Sequence, residues 1–157
     1  MFDAFMQIES IKGESTDEKH TDWIELLSMQ FTISRDATLS TKTSQRVKLT
    51  DVTVTKYTDL ASVLLNLSII TNQKHDTVTI EFCRPGGDKF VYLKIVLKDA
   101  FITKVDTIAQ SKGQDSLPLE TVTLSFREVS WQYEKQARSD GTGRGAMFAQ
   151  YSLADPD

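Results

Sequence analysis

Two stretches of this chain alternate apolar and polar residues and then change step. In 120–134, Val122, Leu124 and Phe126 hold even positions, after which Val129, Trp131 and Tyr133 hold odd ones. In 47–56, Val47 and Leu49 share one parity while Val52 and Val54 hold the other. Successive side chains of a strand point to opposite faces, so a three-residue step inside a period of two demands a β-bulge or sharp bend, or else a break into two short strands. We adopt the bent strand in both places. Long strands bent this way belong to sheets that curl toward closure.

The remaining pattern agrees with a mainly antiparallel β fold. Eighteen threonines, ten valines and ten isoleucines favour strand, because branched side chains suit a pleated, half-buried surface. Trp23, Leu27, Met29, Phe31 and Ile33 mark a one-sided strand, and Met6 and Ile8 a shorter one before it. Further strands are expected around Val78, Ile80 and Phe82, over Val91 to Leu97, and from Phe101 to Ile108. Apolar groups fall on both parities of 90–97, so that strand is expected to be buried on both sides. Residues 34–46 are polar and read as a long loop or exposed hairpin, 110–117 as a loop, and 84–88 as a turn. One helix is expected, with Leu60, Val63, Leu64, Leu67 and Ile70 as its packed stripe and Asp59 or Ser62 as its N-cap. The order of elements matches a β-barrel or sandwich with one helix packed on its side, not a βαβ fold. At 157 residues we expect a single domain, 1–157, ending in a Gly-rich C-terminal segment, 136–157.

Catalytic chemistry is hard to find. The only histidines, His20 and His75, stand in no metal-ligand spacing, and a site using both needs the fold to bring them together. Otherwise they are polar loop residues. Cys83 lies in a strand pattern as a small, partly buried filler, and one cysteine excludes an internal disulfide. Asp17/Glu18, Asp99 and Asp115/Glu120 are candidate acids by type only. The run Gly141-Thr142-Gly143-Arg144-Gly145 lacks the strand, helix and Lys-Ser/Thr of a phosphate loop and reads as a flexible linker. Asn66-Leu67-Ser68 fits a glycosylation pattern but falls in the expected helix. We assign no catalytic residue, metal ligand or cofactor.

A net charge of −4 with mixed signs gives no basic face for nucleic acid. Asp3, Gln7 and Glu9 interrupt any N-terminal secretory pattern, and no apolar run is long enough to span a bilayer. What remains is surplus apolar surface, on 90–97 and at Met147, Phe148, Tyr151 and Leu153. Either the helix covers it or neighbouring copies do.

The stretch Ile11-Lys12-Gly13-Glu14-Ser15-Thr16-Asp17-Glu18-Lys19-His20, followed by Trp23-Ile24-Glu25, resembles the opening signature of the Hcp family of bacterial type VI secretion. Lys56-Tyr57-Thr58-Asp59-Leu60-Ala61-Ser62 is similar to that family's Asp-x-x-Ser helix start. Tyr92 to Ala100 resembles its central strand, and Pro118 to Phe126 with Trp131-Gln132-Tyr133 its last long strand. Val63 stands where many members have proline, and 34–46 is Thr/Ser-rich where some are Gly-rich.

The resemblance implies a barrel with a lateral helix, assembled as a hexameric ring around a wide hole. Rings would stack into a tube driven by a contractile sheath, seated on baseplate components, tipped by a VgrG spike and carrying effector proteins in its lumen. The subunit would be made in the cytoplasm and leave the cell without a signal peptide. It would act without nucleic acid, membrane insertion, cofactor or enzymatic activity. On that reading, ring-to-ring contacts are expected at Arg35, Lys42, Gln45 and Arg46, at Arg84, Gly87 and Asp88, and at Tyr151. Contacts within a ring are expected at Tyr92, Lys94, Val96 and Trp131. The alternative is a monomeric β-barrel enzyme or a ligand-binding module with a loop-borne site.

Overall fold

The computed structural model describes residues 2–35, 47–85, 90–111, 117–135 and 145–153. Its strands are β1 (Asp3–Ile8), β2 (Ile24–Leu26), β3 (Ser28–Gln30), β4 (Ile33–Arg35), β5 (Val47–Leu49), β6 (Val52–Tyr57), β7 (Lys74–Cys83), β8 (Val91–Ile108), β9 (Leu119–Ser125), β10 (Glu128–Lys135) and β11 (Gly145–Ser152). The helix α1 (Ser62–Ile70) lies between β6 and β7. Every strand pairing is antiparallel, and the main sheet runs β2-β1-β7-β8-β9-β6-β3.

The two ends of that order are one piece of chain. Only Leu27 separates β2 from β3, and its N–H donates to the Thr55 carbonyl at 2.7 Å. The first half of Ile24–Gln30 therefore pairs with β1 and the second half with β6, which closes the sheet into a barrel. Closure changes the pattern read from the sequence. Ile24 and Leu26 face inward, Leu27 is exposed, and Met29 returns to the core, so this strand also switches face. Two adjacent leucines hide that switch.

The step in 120–134 is one bend in a continuous ladder. Ser125 pairs with Phe101 and Glu128 with Lys98, two residues being passed over on each strand, so the register with β8 is kept. β8 changes face at the same point: Ile95 and Leu97 are buried before it, Ala100 and Ile102 after it. Asp99 takes a φ of 51° there, a left-handed geometry that Asp tolerates better than most residues. In 47–56, by contrast, the break into two strands is what forms. β5 pairs only with β4, and β6 with β3 and β9. Thr32 and Thr50 tie the joint, through a Thr50 N–H to Thr32 carbonyl bond of 2.9 Å and a Thr32 N–H to Thr50 Oγ1 bond of 2.9 Å. The expected loop 34–46 is thus partly a two-stranded arm, with 36–46 outside the described residues. The C-terminal segment likewise contains β11, which pairs with β10.

The helix sits where expected but faces the other way. Leu65 is buried with Ser62 and Ser68 beside it, while Val63 is 73% and Ile70 79% exposed, and Leu60, Leu64 and Leu67 also face out. Two groups of polar bonds hold it so. Ser68 Oγ is 2.8 Å from His75 Nε2 at the C-terminal end. At the other end Lys56 Nζ, fully buried, lies 2.7 Å from Glu120 Oε1, 2.8 Å from Asp59 Oδ1 and 3.3 Å from Ser62 Oγ. An ammonium has three donors, and all three are used. Ala61, not Asp59 or Ser62, occupies the N-cap, without a side-chain bond. Asp59 instead accepts the Ala61 N–H at 2.9 Å and so anchors the turn before the helix.

Lys56 and Glu120 are directly opposed on β6 and β9, and both point into the core beside Val54 and Val122. Removing one partner of a buried pair strands the other charge and costs about 3–5 kcal/mol. Lys56→Met is therefore expected to lower stability by that amount in urea unfolding. Lys56→Met with Glu120→Leu should recover at least half of it.

Candidate functional site

The segment between β1 and β2 folds back over the outer face of the sheet, and the N-terminal signature is what makes it fit. Ile11 is buried and bridges to Ile8. A Cβ on Gly13 would stand 2.5 Å from the Trp23 carbonyl oxygen and 2.7 Å from Ile24 Cα, so only glycine permits the approach. The Gly13 N–H donates to the Asp22 carbonyl at 2.8 Å, and the Ser15 N–H to that of Trp23 at 3.0 Å.

At the end of this segment His20 is completely enclosed. Its ring stacks on Phe5 with centroids 4.3 Å apart and meets Trp23 edge-on at 4.7 Å. Nδ1 lies 2.6 Å from Asp17 Oδ2, and Nε2 lies 2.8 Å from Glu81 Oε1. Ionised carboxylate oxygens only accept, so the arrangement is satisfied when both ring nitrogens donate. Cys83 Sγ stands 3.9 Å from Nε2, which superficially completes a Cys-His-Asp series. A nucleophile needs an approach path and a base with a vacant nitrogen. Here the thiol is fully buried and Glu81 already holds Nε2. The cluster clamps a loop onto a sheet.

His75 is elsewhere. It lies six residues from Glu81 along β7, which at about 3.3 Å per residue places it roughly 20 Å from the His20 cluster. The fold does not bring the histidines together, and among the described residues no group of three or more His, Cys, Asp or Glu side chains is arranged to hold a metal. Both histidines are buried rather than in polar loops. Of the candidate acids, Glu120 is tied to Lys56 and Asp17 to His20, while Asp99 Oδ1 lies 3.6 Å from Lys74 Nζ on the surface. The Asn66-Leu67-Ser68 pattern lies within α1, with Asn66 exposed and Ser68 buried.

The chain's remaining features of note are surfaces. The β8 residues expected at a subunit contact do share a face: Tyr92, Lys94 and Val96 are half-buried opposite the core-facing Ile95 and Leu97. The strand is thus buried on one side only. Trp131 is on the other face. It pairs with Ile95 and stacks on Phe31 at 6.0 Å. Of the residues expected between rings, Arg35 ends β4, the Arg84 guanidinium lies 5.8 Å from the Tyr92 ring centroid, and Tyr151 pairs with Val129. Lys42, Gln45, Arg46, Gly87 and Asp88 lie outside the described residues. Two apolar faces have no cover among the described residues. Sequence reading missed the outward stripe of α1 but marked the other, β11, where Met147 is 73% and Phe148 60% exposed.

These features define the class as an antiparallel β-barrel with a lateral helix, a clamped N-terminal loop and exposed apolar flanks on α1 and β11. Residues 5–133 match the family described as "Type VI secretion system effector, Hcp". The chain is 30% identical over 147 residues to protein hcp1 of Pseudomonas aeruginosa, covering 91% of this chain and 89% of that protein. Its fold superimposes on a solved type six secretion system protein with a TM-score of 0.89 at 26% identity, covering 98% of this chain and 97% of that one. Hcp1 from Salmonella typhimurium gives 0.79 at 27% identity, covering 98% and 95%. The chain belongs to the Hcp family. That family consists of structural, secreted proteins of type VI secretion and not of enzymes.

Burial holds the His75 imidazole below its ordinary range, with neighbouring Asp76 partly opposing the effect. The unfolded chain then binds a proton, near the ordinary imidazole value of about 6.5, before the folded one does. Stability from this group is complete above that pH and falls as the pH drops toward the depressed folded value. Urea midpoints measured from pH 7.5 to 5 should decline below about 6.5, and His75→Gln should flatten that part of the decline.

Proposed function

We propose that this chain is the repeating subunit of a secreted tube, in which six copies close into a ring with a wide central hole and rings stack end to end. A contractile sheath drives the tube from a baseplate, a VgrG spike tips it, and effector proteins travel in its lumen. The subunit is made in the cytoplasm and leaves with the apparatus itself, without a signal peptide. It needs neither nucleic acid nor insertion into a membrane.

The observation that carries this reading is the pair of uncovered apolar faces, on α1 and on β11, in a member of a type VI secretion family. Large contiguous apolar patches on a soluble chain mark places where another surface sits. Because the two are different surfaces, a copy that buries one against its neighbour's other makes a head-to-tail contact, and such contacts close into rings when the rotation allows. The half-buried β8 face at Tyr92, Lys94 and Val96 belongs to the contact within the ring, with Trp131 supporting it from beneath. The arm beginning at Arg35 (with Lys42, Gln45 and Arg46), the turn at Arg84, Gly87 and Asp88, and Tyr151 belong to contacts between rings. These are polar and suited to repeated assembly and release.

Light scattering should give a particle near six times the 17.7 kDa of one chain, and negative-stain images should show rings. Val96→Asp places a charge in the proposed contact and should reduce the particle to single chains with an unchanged circular-dichroism spectrum. A Val96→Asp protein of unaltered size removes that face from the ring. A wild-type protein of single-chain mass removes the tube reading.

A further inference from the structure

The two buried histidines differ in the charge that surrounds them. His20 is faced by two carboxylates, Asp17 at 2.6 Å and Glu81 at 2.8 Å. His75 is bonded to one hydroxyl, Ser68 Oγ at 2.8 Å, and is covered by α1, whose nine residues carry no titratable side chain. Opposite it on β8 is Ala100, and α1 packs on that strand. The charged groups around His75 all stand in solvent. Asp76 follows it on β7 and is exposed, and Lys74 on its other side lies 3.8 Å from Asp76 and 3.6 Å from Asp99. The joint 71–73 carries no charge, and its Gln73 Nε2 reaches Ser10 Oγ at 3.4 Å beside exposed Glu9. A charged His75 ring in this place has no buried carboxylate to face, and burying an uncompensated charge is costly.

The two anchors of α1 differ in the same respect. At its start Lys56 is held by Asp59, Glu120 and Ser62, and no imidazole takes part. At its end the Ser68–His75 bond joins it to the sheet. Ser62 and Ser68 are roughly 9 Å apart along the helix at about 1.5 Å per residue. Leu65, fully buried, and Ile69, partly so, are the apolar groups that pack inward between and beside them, while the aliphatic stripe is in solvent. The last turn is tied to its own joint, with the Thr71 N–H on the Leu67 carbonyl at 2.9 Å and the Gln73 N–H on that of Ser68 at 3.0 Å, so the two move together. Burial holds the His75 imidazole below its ordinary range. A form in which the ring reaches water therefore binds a proton at a higher pH than the closed form does, and acid favours the open one.

We infer that α1 is an acid-released flap, latched to the sheet through Ser68 and His75 and retained at its other end by the Lys56 cluster. Acid charges the ring beneath an uncharged helix, the last turn lifts, and water reaches His75 and Leu65 while the barrel stays closed. Because α1 carries one of the two uncovered apolar faces, the same step displaces that face. The inference concerns the single chain and does not rest on the ring reading.

Hydroxyl-radical footprinting of the full-length protein, read by mass spectrometry, tests the inference. Leu65 reports on the flap, and Met6, fully buried inside the barrel, reports on the barrel itself. From pH 7.5 to 5.0, labelling of Leu65 should rise at least threefold while that of Met6 stays level. In His75→Gln, which keeps an uncharged group able to bond Ser68, Leu65 should be protected at both pH values. The imidazole resonances of the wild-type protein supply a second measurement that needs no variant: Leu65 labelling and the titration of His75 should share one midpoint. Leu65 protected in the wild type at pH 5.0 overturns the inference. So does a rise at Met6 equal to that at Leu65, which is unfolding of the whole chain. An acid rise at Leu65 that persists in a folded His75→Gln protein, or that follows a midpoint other than that of His75, overturns it as well.

Discussion

One short segment, Ile24–Gln30, holds two edges of the sheet at once. Its first half pairs with β1 and its second with β6, so a barrel exists only if the chain turns at Leu27. Closure fills the interior with Met6, Ile24, Val54, Ile80, Leu97 and Leu124. The helix lies beside the barrel, and its aliphatic stripe meets solvent in the single chain. The uncovered flank of β11 follows in the same way, since β10 and β11 extend the sheet beyond the closed part. On the proposed function, a filled core with apolar groups left over belongs to a subunit whose packing is completed by other subunits.

Buried polar groups fix how these pieces meet. Apolar packing alone would accept α1 in several rotations about its axis. The Lys56–Asp59–Glu120–Ser62 cluster and the Ser68–His75 bond each fit one of them, because a wrong rotation would strand a buried charge or donor. His20 does the same for the N-terminal loop, satisfying both ring nitrogens only when Asp17 and Glu81 close on it from different elements. The cost of mispairing buried charges makes such networks strong constraints on register even where they add little net stability.

Much of this was legible in the sequence. Parity changes in 120–134 foretold the bend, the order of strands gave a barrel or sandwich with one lateral helix, and the family resemblance implied the barrel. The Hcp-like motifs pointed to the family before any coordinates. The facing of α1 was not legible, because five aliphatic residues at helical spacing normally mark the buried stripe, and here they face outward. The burial of Lys56 was not legible, since the partner that allows it lies 64 residues away in Glu120. His20 and His75 looked like loop residues for the same reason, with Glu81 and Ser68 as their distant supports.

The account turns on whether the leftover apolar flank is hidden between copies. Hydroxyl-radical footprinting read by mass spectrometry compares the wild-type assembly with the Val96→Asp chain. Met147 and Phe148 should be labelled several-fold less in the assembly, while exposed residues remote from any proposed contact are labelled alike. Equal labelling of Met147 and Phe148 in the two preparations, with the wild type fully assembled, would contradict it.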